Sequence, residues 1–204
     1  MPLTDYEEKI NEKGYNLICG VDEAGRGPLA GPVVAAAVIL KKGCIIEGLD
    51  DSKKLTEAKR EKLFDVIIEN AVSYQIVFID EKKIDEINIL NATMLAMKTA
   101  IEKLSLNPDI CLIDGNMAPD TKFKTESIIK GDTKCKSIAA ASILAKVSRD
   151  RFMMKLHEQY PQYQFNKHKG YGTKLHYQMI NEFGAADIHR ITFLKKYYNK
   201  RVSV

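Results

Sequence analysis

Long apolar runs, metal-type cysteine pairs and the short signatures of common catalytic sites are all missing from this chain of 204 residues. The longest clean apolar run is Val33 to Leu40, far short of the roughly 20 residues that span a bilayer. The opening Met-Pro-Leu-Thr-Asp-Tyr-Glu-Glu has no basic region and no apolar region. No secretory leader is therefore expected, and the protein is read as cytoplasmic. Cys19, Cys44, Cys111 and Cys135 show no CxxC spacing, and two of them sit inside apolar runs. That pattern fits reduced thiols in a cytosolic protein. Asn91-Ala-Thr93 matches a glycosylation sequon, which without secretion has no consequence. His157, His168, His176 and His189 lack HExxH or zinc-site spacing, so no zinc centre is expected. The chain has no G-x-x-x-x-G-K-S/T phosphate loop and no G-x-S-x-G nucleophile elbow.

What is present is an ordinary soluble composition, 45% hydrophobic and 28% charged. A formal charge of +4 and a pI near 8.7 permit an anionic partner without proving one, so the distribution of charge matters more than its sum. The length suits one domain with a real core. No Pro/Ser-rich linker, repeat or low-complexity segment divides it, so 1–204 is expected to form a single unit. Its core would occupy about 17–160, and a helical part about 161–204.

Residues 1–15 are polar and read as a short helix or arm. The runs 17–21 and 33–40 are short, apolar and bounded by Gly or Pro, as buried strands are. Their short Gly/Pro-rich connection predicts an antiparallel hairpin. After a loop over 41–51, Thr56 reads as an N-cap, with Glu57 in the first turn. Leu63, Phe64, Ile67 and Ile68 then recur at helical spacing over about 57–70. Val72 to Ile79 reads as a third strand. A long helix is predicted over about 83–104, with Leu90, Met94, Met97 and Ile101 along a core-facing stripe. Ile110 to Ile113 and Thr125 to Ile129 are two further short strands. The last long helix spans about 136–158, with Ala140, Leu144 and Val147 inward and Ser142, Lys146 and Arg149 on a polar stripe. This is an α/β pattern with helical segments after the last strand.

The chemistry gathers at acidic residues. Asp22, Asp114 and Asp132 each follow a short apolar run, and Glu23 adjoins the first. Loops beyond strand ends are where open α/β sheets bind ligands. If the three strands are neighbours, the carboxylates converge on one site for hard divalent cations. Read alone, each Asp is also a turn-former, and Asp22-Glu23 a charged hairpin loop. Neighbouring side chains on a regular strand point to opposite faces. Asp22 and Glu23 therefore share a site only if the chain bends or one contributes its carbonyl. Gly25, Gly27 and Gly31 permit a bend. A second constellation, Asn166 to His176, sets several basic residues and Tyr171 between glycines. It suits phosphate and an exposed sugar or base, and is equally a solvated basic loop. The tail from Lys195 to Val204 is basic and aromatic, with no recognisable partner motif.

The string Val21-Asp-Glu-Ala-Gly-Arg-Gly-Pro-Leu-Ala-Gly-Pro-Val-Val-Ala-Ala-Ala-Val38 resembles the signature opening of ribonuclease HII, the bacterial type-2 ribonuclease H. The likeness continues through Asp51-Ser-Lys-Lys-Leu55, Asn88-Ile-Leu-Asn-Ala-Thr-Met94 and Leu112-Ile-Asp-Gly-Asn116. It then runs through Lys130-Gly-Asp132, Ala140-Ala-Ser-Ile-Leu-Ala-Lys146 and His168-Lys-Gly-Tyr171, in the family's order across roughly 17–192. The resemblance implies a ribonuclease H-like fold, a mixed central sheet flanked by helices. It carries Asp22, Glu23, Asp114 and Asp132 as a set binding two Mg²⁺ or Mn²⁺ ions. In such a pair, ions roughly 3.5–4 Å apart activate water and stabilise the leaving oxygen. It also implies a Gly25-Arg26-Gly27 backbone that reads the ribose 2′-OH and a Tyr171 that contacts substrate. Lys53 and Lys146 are phosphate-contact candidates and, equally, surface lysines. Asp at the fourth acidic position is the HII pattern, where HIII enzymes have Glu and an extra N-terminal domain that 204 residues leave no room for.

The implied activity is cleavage of RNA paired to DNA, and incision 5′ of single ribonucleotides in duplex DNA, by a monomer. Two rivals remain at this point: a non-catalytic nucleic-acid binder, and another two-metal nuclease or recombinase on the same fold. Crowded carboxylates repel phosphate and count against the binder. The Gly-Arg-Gly segment with Tyr171 counts against the other nuclease.

Overall fold

A computed structural model describes residues 5–50 and 52–202. Asp51, the first residue of the Asp51–Leu55 block, lies outside them, as do the two ends of the chain. A short helix α1 (Asp5–Glu12) leads into β1 (Ile18–Ala24), β2 (Val33–Leu40), α2 (Glu57–Asn70) and β3 (Ala71–Ile79). Next come α3 (Glu81–Glu102), β4 (Ile110–Asp114), β5 (Thr125–Ile128) and α4 (Lys136–Gln159). Three shorter helices close the chain: α5 (Phe165–His168), α6 (Lys174–Phe183) and α7 (Ile191–Val202).

The strands form one mixed sheet in the order β3-β2-β1-β4-β5. β1, β2 and β3 are antiparallel neighbours, as the short first connection requires, while β4 and β5 run parallel to β1. Both faces of β2 are buried, and alternation divides its side chains between two layers. Ala36 and Val38 pack with α2 and α4 through Phe64, Ile67, Ala140 and Leu144. Ala35, Ala37 and Ile39 pack with α3 through Ala96, Met97 and Ile101. Small alanines on β2 let helices press close from both sides. The approach is closest at Gly20, where a Cβ would stand 2.0 Å from the Ser137 carbonyl carbon. No side chain fits between β1 and the first turn of α4.

Two expectations need correction. Asp22 and Glu23 do not follow β1 but lie on it, paired with Ala36 and Ala35. The long helix is broken at Asn88, whose φ of 66° and ψ of 164° are not helical. The Asn88 side chain accepts the Asn91 N–H at 3.1 Å, so it caps a restarted helix. The restart turns the inward face to Ala92, Ala96, Met97 and Ile101 and leaves Leu90 37% exposed, off the predicted stripe. The polar stripe of Ser142, Lys146 and Arg149 lies largely inside the fold, with Ser142 and Arg149 both buried. No helix among the described residues is long and apolar enough to cross a membrane. The four cysteines are free thiols.

Candidate active site

The sheet brings the acids together. Val21 on β1 pairs with Ile113 on β4, so Asp22 and Asp114 leave adjacent parallel strands at one end of the sheet. Asp132 is not itself at a strand end; it sits in a single 3₁₀ turn, Gly131–Thr133, beyond β5. One carboxylate oxygen from each of Asp22, Asp114 and Asp132 lies within 4.8 Å of the others. Gly131 makes this packing possible. Its N–H donates to Asp114 Oδ1 at 2.7 Å, and a Cβ there would come 2.5 Å from Ile138 Cδ1.

Burial, then repulsion from Glu23 and Asp114, pushes the Asp22 carboxyl well above the usual carboxylate range. Burial followed by the Asp132 charge raises Asp114, against the pull of the Gly131 N–H. The set is therefore an excess of negative charge in a protected site, made of hard oxygen donors. A divalent cation of the Mg²⁺ class matches that donor set.

Glu23 stands at the edge of this group. Its Oε1 accepts from Arg26 Nη1 at 3.3 Å, and its pKa is raised by burial against the lowering pull of Arg26. It lines the same cleft, of about 210 Å³, as Asp22, Asp114, Gly25, Lys53, Lys146 and Tyr171. Lys53 Nζ lies 3.2 Å from Asp132 Oδ2 on a side chain that is 78% exposed. Lys146 donates to Asp150 Oδ1 at 2.8 Å and stands 5.9 Å from the Tyr171 ring centroid. Tyr171 is 42% exposed, near Gly27, where a Cβ would meet its Cε1 at 3.9 Å. Seven of the ten predicted site residues line this one cleft; Asp132 adjoins it through Asp114 and Lys53, Arg26 through Glu23, and Gly27 stands near the Tyr171 ring.

Ser52 and Arg60 were not singled out in the sequence, and Ser142 was read only as part of a polar stripe. Ser142 hydrogen-bonds the Asp22 carboxylate and lies 2.8 Å from Ser52 Oγ. Ser142 must donate to the carboxylate, which leaves it to accept from Ser52. Arg60 Nη1 holds the Ser52 carbonyl at 2.9 Å, fixing that loop. Both serines lie within the Asp51–Leu55 and Ala140–Lys146 blocks, beside Lys53 and Lys146.

His168, His176 and His189 form a cluster behind Tyr171. His176 Nδ1 is 3.0 Å from the Tyr171 carbonyl, and its Nε2 is 3.1 Å from His189 Nε2. The Ala186 N–H meets His189 Nδ1 at 3.0 Å. Only one set of tautomers satisfies this chain. His176 donates from Nδ1 to the carbonyl, His189 donates from Nε2 to His176, and His189 Nδ1 accepts from Ala186. Burial, the largest cause for each ring, lowers both pKa values to about 4. The absence of a zinc spacing thus coincides with a structural use for these rings.

A mixed sheet in this order, with an acidic cluster where β1 and β4 end, defines a ribonuclease H-like α/β hydrolase. The profile of the family described as Ribonuclease HII matches residues 19–196, and the chain belongs to that family. It is 59% identical over 191 residues to a ribonuclease HII of Caldicellulosiruptor bescii, covering 94% of this chain and 93% of the relative. It is 56% identical over 192 residues to one of Acetivibrio thermocellus, covering 94% of this chain and 75% of the relative. Among solved structures it superposes on ribonuclease H2 from Pyrococcus horikoshii with a TM-score of 0.76 and 28% identity, over 91% of this chain and 98% of the other. The match to the ribonuclease HII of the Archaeoglobus fulgidus PCNA:RNase HII complex has a TM-score of 0.73 and 25% identity, over 86% and 94%. The protein is a ribonuclease H, an endonuclease of the family that cuts the RNA strand of RNA–DNA hybrids.

Proposed function

We propose that this enzyme cleaves the RNA strand of hybrids and also incises duplex DNA on the 5′ side of a single embedded ribonucleotide. The products would carry a 3′-OH and a 5′-phosphate, as ribonucleotide removal in replication and repair requires. One observation carries the reading: Asp22, Asp114 and Asp132 converge within 4.8 Å, and the first two line the cleft that Gly25 and Tyr171 also line. A crowd of carboxylates is a poor way to hold phosphate and a good way to hold cations.

Asp22, Glu23, Asp114 and Asp132 would hold two Mg²⁺ or Mn²⁺ ions. Such a pair supplies Lewis acidity for the attacking water and for the leaving 3′ oxygen. The remaining steps belong to the chain. Ser142 and the Glu23 N–H, 2.7 Å from Asp22 Oδ1, fix the rotamer of Asp22. Gly131 fixes that of Asp114. Lys53 and Lys146 would take the phosphates flanking the scissile bond. The Gly25-Arg26-Gly27 backbone would question one 2′-OH, the group that separates RNA from DNA, and the Tyr171 ring would pack on the next sugar.

The test is a labelled RNA–DNA hybrid incubated with Mg²⁺ and, separately, with EDTA. Internal cleavage of the RNA strand with Mg²⁺ alone is expected. Cleavage that survives EDTA would overturn the metal assignment.

A further inference from the structure

Arg190 is completely buried; its guanidinium stands 5.1 Å from the Phe193 ring centroid, and it donates its hydrogen bonds to backbone carbonyls. Nε donates to Gly31 O at 2.9 Å, and Nη1 to Arg26 O at 3.0 Å. Nη2 donates to Gly25 O at 2.7 Å and to Gly31 O at 2.8 Å. These carbonyls belong to the loop that carries Gly25-Arg26-Gly27, more than 150 residues earlier in the chain. The backbone around Arg190 is tied to the same loop: Arg190 N–H donates to Leu29 O, and Gly31 N–H to Ile188 O, each at 2.8 Å. Leu29 N–H in turn donates to Gly170 O at 2.8 Å, beside Tyr171. The segment 188–190 therefore links the two stretches proposed to meet the sugar pair.

Peptide geometry gives this clamp a direction. In a planar trans peptide the C=O of one residue and the N–H of the next point opposite ways. Arg190 draws in the carbonyls of Gly25 and Arg26, so the N–H groups of Arg26 and Gly27 are turned away from it. A cation on a carbonyl also polarises its peptide, which strengthens the N–H on the far side as a donor. A lysine cannot repeat this. Its single ammonium lacks the planar fork that reaches Gly25, Arg26 and Gly31 together.

We infer that Arg190 is a positioning residue for recognition of the ribonucleotide, fixing and polarising the Gly25-Arg26-Gly27 backbone that reads the 2′-OH. This deepens the proposed function and rests on its reading of that segment. A long hybrid offers many hydroxyls and A-form shape, whereas a single embedded ribonucleotide offers one hydroxyl. Loosening the reader should therefore harm the second substrate more.

The experiment compares kcat/KM on duplex DNA with one ribonucleotide against kcat/KM on a uniform hybrid. It uses the parent, Arg190→Lys, and Asp85→Ala. Asp85 accepts the Ile191 N–H at 2.7 Å and the Thr192 N–H at 3.0 Å. Its loss loosens the start of α7 next to Arg190 while leaving the buried cation in place. For Arg190→Lys the ratio of single-ribonucleotide to hybrid cleavage should fall about tenfold or more, with an unchanged Mg²⁺ half-saturation. Asp85→Ala should move the ratio the same way by a smaller factor. A folded Arg190→Lys that keeps the parent ratio, or loses both activities equally, overturns the inference. If Arg190→Lys does not fold, an unmoved ratio in Asp85→Ala overturns it. A parent that never cuts the single-ribonucleotide duplex instead removes the reading on which the inference stands.

Discussion

Gly131 donates its backbone N–H to Asp114 Oδ1 at 2.7 Å, so one carboxylate of the cluster is oriented by the residue next to another, Asp132. The two acids are consequently not independent. A Cβ at position 131 would press on Ile138 Cδ1 at 2.5 Å and approach Asp114 Oδ1 at 3.3 Å. Gly131→Ala should cost about 1–3 kcal/mol of stability, the usual range for overpacking. It should also raise the Mg²⁺ half-saturation of cleavage. A metal titration of the variant checks this, and an unshifted midpoint would separate Gly131 from the site.

Asp22→Asn and Asp132→Asn should each abolish cleavage, by at least ~100-fold or ~2.7 kcal/mol of activation free energy, while leaving the fold intact. For Asp22 the sign of the stability change follows from its raised pKa. A carboxyl whose folded pKa lies above its unfolded value stabilises the fold in its protonated form, and that contribution is lost as pH rises through the folded pKa. In EDTA at neutral pH, Asp22→Asn should therefore melt no lower than the parent, and its advantage should grow with pH. Melting curves in EDTA across pH read this directly. Near-normal turnover of either variant at ordinary Mg²⁺ would remove these acids from catalysis.

Tyr171→Phe should be tolerated better than Tyr171→Ala, because the ring, more than the hydroxyl, would pack against the nucleotide. Loss of such stacking costs about 1–3 kcal/mol, to be read as kcat/KM on the single-ribonucleotide duplex. Equal losses in Phe and Ala would shift the role to the hydroxyl.

His176 and His189 predict an acid-sensitive window of the opposite sign to Asp22. Their folded pKa values of about 4 lie below the ordinary 6.5. Between those values the unfolded chain takes up protons that the fold refuses, so stability present above 6.5 is lost as pH falls through the window. The loss should reach ~3 kcal/mol for one ring by pH 4. Chemical unfolding of the parent and of His189→Gln at pH 6.5 and pH 4 gives the difference curve. A pH slope identical in both would exclude the cluster as its source.

Much of this architecture was legible locally. The apolar runs gave β1, β2 and β4 and the antiparallel turn, and Thr56 with its following stripe gave α2 to the residue. Asp114 could be read as a strand-end acid because it closes such a run, whereas Asp22, read the same way, lies two residues inside the end of β1. What escaped depends on distant partners or on single backbone angles. Asn88 looks like any polar helix residue until its φ turns positive. Arg149 has helical spacing to Ser142 and Lys146, but its guanidinium reaches Pro32 O at 3.0 Å and Ala30 O at 3.1 Å. Arg190 is recognised only through carbonyls of Gly25, Arg26 and Gly31, and carbonyls leave no mark in a sequence.

The central claim, that one ribose hydroxyl is read beside a carboxylate metal site, is tested most directly with a labelled DNA duplex carrying a single ribonucleotide. It is run with Mg²⁺ beside an all-DNA duplex and one carrying four or more consecutive ribonucleotides. The account predicts incision on the 5′ side of the lone ribonucleotide, with a 3′-OH on one product and the ribonucleotide held on the 5′-phosphate of the other. The all-DNA duplex should stay intact. Cutting confined to the longer ribonucleotide tract would contradict it.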